Sequence, residues 1–211
     1  MNANTFANIR AIIIIIIALF IVLRAFYLYS QMRNPRLFIL GLTMIMIALT
    51  TTVDTIGDNI SSFFHLNSYW FNYFGQTISY TFFFLSLVNS SETFLRRLLR
   101  LQIAISSLLL IVLLIGPSLP SSFPGLGVTR AILSSGRAVP CFMICLYYSG
   151  AFFKKETLFS LLMGAGFLIT TLAYYIIFPR YIYPHQDQIQ IAGDLLRICG
   201  YFTLLMALLW G

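Results

Sequence analysis

Residues 8–30 read NIRAIIIIIIALFIVLRAFYLYS, an apolar run interrupted only by Arg10 near its start and Arg24 near its end. A helix needs about 20 predominantly apolar residues to cross the hydrocarbon core of a bilayer, and this stretch supplies them. A basic residue ahead of Ile12 to Ile17 also has the outline of a secretory signal. The segment lacks a small-x-small cleavage site and stays apolar to Tyr29, so it reads as a retained span.

Six further stretches meet the same criterion, giving spans at roughly 8–30, 36–57, 68–90, 98–116, 128–151, 156–178 and 189–210. Asn34-Pro35 marks the first connection. Gly116-Pro117, Pro120 and Pro124 end the fourth span, and Pro179 closes the sixth. The fold expected is all-α, a polytopic membrane bundle of seven transmembrane helices, with residues 1–211 forming a single transmembrane domain. Six spans plus an interfacial segment is the alternative, with the second-to-third connection the place where it would arise. No internal repeat is visible, and with it no inverted-repeat transporter signature.

Composition agrees. The 211 residues are 59% hydrophobic and 9% charged, with 20 Phe and 12 Tyr, whereas a soluble domain is about 25% charged. Little chain is left for a soluble catalytic domain. The net charge of +7 is a topology signal, not a nucleic-acid signal, because most of the charges sit at span ends on one side. Arg33 and Arg36 flank the first loop, Arg96, Arg97 and Arg100 the third, and Lys154 and Lys155 the fifth; Arg10 and Arg180 lie on the other side. The positive-inside rule then puts the N-terminus outside and the C-terminus in the cytoplasm. Arg24 is expected to snorkel to the inner interface, and Tyr69, Trp70, Tyr181 and Tyr183 suit an external aromatic belt. Cys141, Cys145 and Cys199 all fall within spans, which implies neither a disulfide framework nor a metal site.

Polar residues at helical spacing separate interior faces from lipid faces. The first span has none between Ile12 and Val22 and the fourth none between Leu108 and Ile115, so both are expected at the periphery. Stripes occur elsewhere: Thr50, Thr51, Asp54 and Asp58 in the second span; Asn72, Gln76, Ser79, Tyr80, Ser86 and Asn89 in the third; Arg130, Ser134, Arg137, Cys141 and Cys145 in the fifth. Thr170, Thr171, Tyr174 and Tyr175 form that of the sixth, and Gln190, Asp194, Arg197 and Tyr201 that of the seventh. With about 1.5 Å of rise per residue, Arg137 lies roughly 7–8 Å below the outer boundary, with Asp54 and Asp194 slightly shallower and Arg197 nearly a turn deeper than Asp194.

A charge inside a bilayer costs at least about 2.5–3.5 kcal/mol at a helix centre, so it is usually paired and often functional. Arg137 has two readings: an ion pair with Asp54 or Asp194 that locks helices together, or the contact for an anionic ligand, which its planar fork of donors suits. Asp54, Asp194, Gln76, Tyr80 and Arg197 are expected around the same outward-facing cavity. Arg197 and Asp194 also stand at the spacing of a pair within one helix. Arg130 reads as snorkelling to the interface and Asp58 as solvated. Pro140 is expected to bend the fifth span near Arg137, as a fixed kink or a hinge. Gly164 and Gly166 read as allowing close helix packing.

The only lysines, Lys154 and Lys155, lie at a membrane edge, which excludes a retinal Schiff base in the seventh helix. His65 and His185 fall in external loops and give no axial pair for a haem; His185 with Asp187 reads as a solvated pair. There is no nucleophile motif, HExxH or glycine-rich phosphate loop. Neither an enzyme nor a cofactor is expected.

Residues 192–211, AGDLLRICGYFTLLMALLWG, carry Asp194-Leu195-Leu196-Arg197, then Gly200-Tyr201 and a leucine-rich run. This resembles the final helix of bacterial multi-helix membrane sensor domains, which precede histidine kinase, diguanylate cyclase or related output modules. The resemblance covers about 20 residues and the outside-to-inside topology. It implies a sensor or receptor domain in a bacterial plasma membrane, binding a small anionic or amphipathic ligand and signalling to a cytoplasmic partner. Both an end at Gly211 and a continuation into a cytoplasmic module are compatible with that expectation. The alternatives are a substrate-binding subunit of a transporter, which Ser86, Asn89 and Glu92 at the inner end of the third span keep open, and a structural subunit of a membrane complex.

Overall fold

A computed structural model describes residues 3–59, 68–89, 91–115, 126–178 and 187–210. They form seven helices: α1 (Ala3–Met32), α2 (Pro35–Asn59), α3 (Ser68–Val88), α4 (Glu92–Ile115), α5 (Leu126–Lys155), α6 (Leu158–Ile177) and α7 (Asp187–Trp210). The described residues contain no strand. Six of the helices, all but α3, are long and apolar enough to cross a membrane, as befits an integral membrane protein. The expectation that all seven stretches qualify therefore holds for six. α3 has the length, at 21 residues, but Asn72, Gln76, Thr77, Ser79 and Ser86 dilute its apolar content. Four of these, Asn72, Gln76, Ser79 and Ser86, are buried, so the residues that lower its hydropathy are the ones it keeps away from its surroundings.

The chain divides into two compact units, Met1–Ser121 and Ser122–Gly211. In the first, α2 packs on α1, α3 and α4, and α3 also meets α4. α1 buries Ile14, Ala18, Ile21, Val22 and Ala25 and exposes Ile12, Ile13, Ile16, Leu19, Phe20 and Leu23. The helix thus shows one narrow stripe to the protein and a wide apolar face outward. α4 behaves likewise, burying only Leu95, Leu98, Gln102 and Leu113. Within the first unit both show most of their surface away from their neighbours, in keeping with their lack of polar stripes.

In the second unit α6 packs on both α5 and α7. α5 runs unbroken through Pro140, whose ring replaces the N–H that would bond the Gly136 carbonyl. α6 and α7 approach at backbone distance. A Cβ on Gly200 would stand 3.1 Å from the Gly166 carbonyl and 3.1 Å from the Thr170 nitrogen, and one on Gly166 would stand 2.7 Å from the Leu204 side chain. Only glycine permits that approach. Of the two glycines singled out by sequence, Gly166 serves it. Gly164 turns to α5 instead, with ordinary contacts to Ser149 and Tyr148.

The units open on the same hairpin. Arg33 ends α1 in the left-handed region (φ 55°) and donates its N–H to the Tyr29 carbonyl at 2.8 Å. Asn34 then caps α2 by accepting from the Arg36 N–H at 3.1 Å, and Pro35 takes the first helical position, where no N–H is missed. In the second unit Glu156 (φ 50°) donates to the Phe152 carbonyl at 2.7 Å, and Thr157 caps α6 by accepting from Ser160 N–H. Three equivalent pairs share one offset of 123 residues: Arg33 and Glu156, Phe26 and Ser149, Gly41 and Gly164. Gly41 faces Phe26 as Gly164 faces Ser149. This recurrence is carried by backbone and register, which explains why side-chain identity did not reveal it.

Candidate functional site

Each unit has its own buried polar group. In the second, Arg137 is 3% exposed, and its guanidinium carbon lies 4.6 Å from the centroid of the Tyr174 ring. Tyr174, at 0% exposure, is also approached by the Arg197 guanidinium, at 6.0 Å. Arg197 Nη2 is 3.6 Å from Asp194 Oδ1, with both side chains largely shielded. The Tyr174 and Tyr201 hydroxyls are 3.3 Å apart, and Tyr201 is fully buried. Arg137 of α5 and, from α7, Tyr201 and the Arg197–Asp194 pair therefore meet at Tyr174 of α6.

The local causes are legible. Arg137, Cys141 and Cys145 recur at four-residue steps on α5, and all three are buried. Tyr174 stands on the same face of α6 as Thr170, about two turns beyond Gly166, and the glycine approach brings α7 with Arg197 and Tyr201 alongside. A cation over an aromatic face is worth about 0.5–1 kcal/mol when exposed and about 2 or more when desolvated. The ring thus offsets part of the cost of burying Arg137.

The first unit holds a different arrangement, a seam of mostly neutral hydrogen bonds along α2. Arg36 Nε donates to the Ser86 carbonyl at 3.0 Å. The Thr43 hydroxyl is 2.9 Å from the Ile39 carbonyl and 3.1 Å from that of Ser79, and Gln102 Nε2 donates to Thr43 Oγ1 at 3.4 Å. Gln76 Nε2 donates to Thr50 Oγ1 at 3.1 Å, and Asn72 Nδ2 to Asp54 Oδ2 at 2.7 Å. Tyr80, next to Ser79, is fully buried.

Of the six residues expected around one cavity, Arg137, Asp194 and Arg197 come together in the second unit. Asp54 and Gln76 belong to the α2–α3 seam of the first, where Tyr80 is also buried. The expected Asp194–Arg197 pair is present. Arg24 lies 5.4 Å from the Tyr27 ring. Within the α6 stripe Tyr174 is buried, whereas Tyr175 is 68% exposed. The side chains of Arg130, Ser134, Asp58, Tyr69 and Asp187, and residues His65, Arg180, Tyr181, Tyr183 and His185, lie outside the described residues.

Sequence reasoning placed Tyr174 and Tyr201 on polar stripes but not in the site, although aromatics opposite a buried arginine are natural partners for it. It missed Gln102 altogether. The signal was a lone carboxamide within an otherwise apolar stretch of α4. Set against protein-family models, curated proteins and solved structures, the chain matches none of them.

Proposed function

We propose that this chain is a membrane-embedded sensor or receptor domain in which all seven helices cross a bacterial plasma membrane, N-terminus outside. Its ligand is a small anionic or amphipathic molecule that reaches the Arg137 cluster from the outer side. The observation that carries this reading is the meeting of two guanidiniums on one buried tyrosine ring. The cluster sets two guanidiniums beside one carboxylate, Asp194, which stands 3.6 Å from Arg197, and a bound anion would balance the positive charge that remains in a medium of low dielectric. Guanidinium groups suit the task because their in-plane donors match a carboxylate or phosphate while the face stacks on the ring.

Occupancy of the cluster is read out by helix packing. α7 is joined to α6 at backbone distance through Gly166 and Gly200, so these two move as one body. α5, with Pro140 three residues beyond Arg137, is the helix that repacks against them. α7 then carries the change toward a cytoplasmic signalling partner.

Ligand-dependent unfolding of the purified protein tests the reading. A ligand specific to the folded state stabilises it by about 2.7 kcal/mol at one hundred times its Kd. Across short carboxylates, inorganic phosphate and anionic lipids, the expected outcome is a rise in Tm in the parent that is lost in Arg137→Ala. If no anion stabilises the parent while Arg137→Ala is strongly destabilised, the arginine is a structural lock and the sensor reading falls.

One observation favours a second reading, a substrate-binding transport component. The hairpin recurring at a 123-residue offset gives the chain two similarly begun halves, and parallel repeats are a transporter architecture. Flux of a stabilising anion into proteoliposomes would select this reading over the first.

A further inference from the structure

Gln102 is 1% exposed and sits ten residues into α4. Its Nε2 donates to Thr43 Oγ1 at 3.4 Å. The Thr43 hydroxyl hydrogen is already committed to the backbone, between the Ile39 and Ser79 carbonyls. Thr43 Oγ1 can therefore only accept from Gln102, which fixes the amide: the NH2 faces Thr43 and Oε1 points elsewhere. That oxygen is buried and has no hydrogen-bond donor among the described residues.

The same logic repeats farther along the seam. Asn72, 8% exposed, donates Nδ2 to a carboxylate oxygen of Asp54 at 2.7 Å. A carboxylate only accepts, so the amide cannot be turned round. Its Oδ1 is likewise buried without a donor among the described residues. Two carboxamides on one seam are each oriented by one end so that the other end requires a donor. Buried polar atoms of this kind are normally satisfied, by protein or by ordered water.

We propose that Gln102 Oε1 and Asn72 Oδ1 are acceptor sites for internally bound water, so that the α2–α3–α4 seam of the first unit is hydrated. Water fits both sites as a compact donor. A cation fits the Gln102 site poorly, since the carboxylate of the seam, Asp54, is eleven residues along α2 from Thr43, about 16 Å by helical rise. A buried water makes about three hydrogen bonds. Helix carbonyls of α2 and α3 have second lone pairs to contribute. The site is built from residues of the first unit alone and does not depend on the anion reading.

Radiolytic hydroxyl labelling of the full chain in detergent tests the proposal, because water bound inside a protein generates radicals beside it. Met44, adjacent to Thr43, and Phe83, one turn from Ser79 on α3, are buried and should be labelled despite it. Gln102→Leu should lower that labelling by about tenfold, the scale of losing one well-bound site at a cost of 1.4 kcal/mol or so. No labelling at either residue in the parent, or equal labelling in the variant, overturns the proposal. Should Gln102→Leu fail to fold, a high-resolution structure of the parent decides. A water-sized peak within about 2.6–3.2 Å of Oε1 supports the site; a protein donor, a lipid or detergent hydroxyl, or carbon alone at that position overturns it.

Discussion

The α2–α3 and α6–α7 pairs answer one physical problem in different ways. Lipid tails are as apolar as leucine, so helices in a bilayer gain little from mutual hydrophobic burial and associate through packing and polar contacts. α2 and α3 are joined by separate polar contacts, Thr43 to Ser79, Thr50 to Gln76 and Asp54 to Asn72. α6 and α7 are joined by shape, with Gly166 and Gly200 letting the backbones touch, and the Tyr174–Tyr201 hydroxyl contact is long at 3.3 Å. Polar contacts spread along a seam tolerate the loss of any one. A backbone approach does not, since one methyl group blocks it.

That contrast is most open to attack at the glycines. Gly200→Ala places its Cβ 2.5 Å from Thr170 Oγ1 and 3.1 Å from two backbone atoms of α6 and should cost about 1–3 kcal/mol, the usual penalty for overpacking. Gly75→Ala meets side-chain atoms alone: Met46 Cε at 3.2 Å, which can turn aside, and Thr50 Cγ2 at 2.7 Å, which must shift slightly while its hydroxyl stays bonded to Gln76. Its cost should be clearly smaller in the same denaturant titration. Equal costs would erase the distinction between the two interfaces.

Tyr174 offers a middle-sized test. Tyr174→Leu removes the ring beneath Arg137 and should lose about 2 kcal/mol, the value of a desolvated cation–π contact. Tyr174→Phe keeps the ring and gives up the hydroxyl, with its 3.3 Å contact to Tyr201, so its unfolding midpoint should fall much less. If the two variants are equally unstable, the hydroxyl outweighs the ring and the account of how Arg137 is held fails.

The smallest effect is expected in the first unit. Gln76→Leu should cost about 0.6 kcal/mol and no more than about 1.7, the measured span for inter-helix hydrogen bonds in membranes. A double-mutant cycle with Thr50→Val isolates the bond, and a coupling well above that range would show the seam to be cooperative and not a set of independent contacts.

The membrane class and the seven helices, six of them apolar enough to cross a membrane, were legible because apolar length is a one-dimensional property of the chain. α3 strained that criterion for an equally plain reason: its polar residues face α2, and hydropathy averages round a helix without seeing which side is covered. The site was half legible. A charge within an apolar run announces itself, so Arg137, Asp194 and Arg197 stood out, and the three-residue spacing foretold the Asp194–Arg197 pair. What one dimension lacks is the choice of neighbour. Depth alone does not say that Asn72 is a partner of Asp54, and the packing of α2 on α3 brings the amide to it. Tyr174 and Tyr175 were indistinguishable in sequence, while a single 100° step round α6 buries one and exposes the other.

The turn at Glu156-Thr157 has a consequence for how the protein is made. Arg137 and Tyr174 belong to the two helices that this turn joins. A connection this short makes their pairing local, with little loop-closure entropy to overcome. The pairing needs only α5 and α6, successive in the chain, so the guanidinium can meet its aromatic face without waiting for α7 to dock. The most costly side chain of the second unit thus takes its companion from the very next helix.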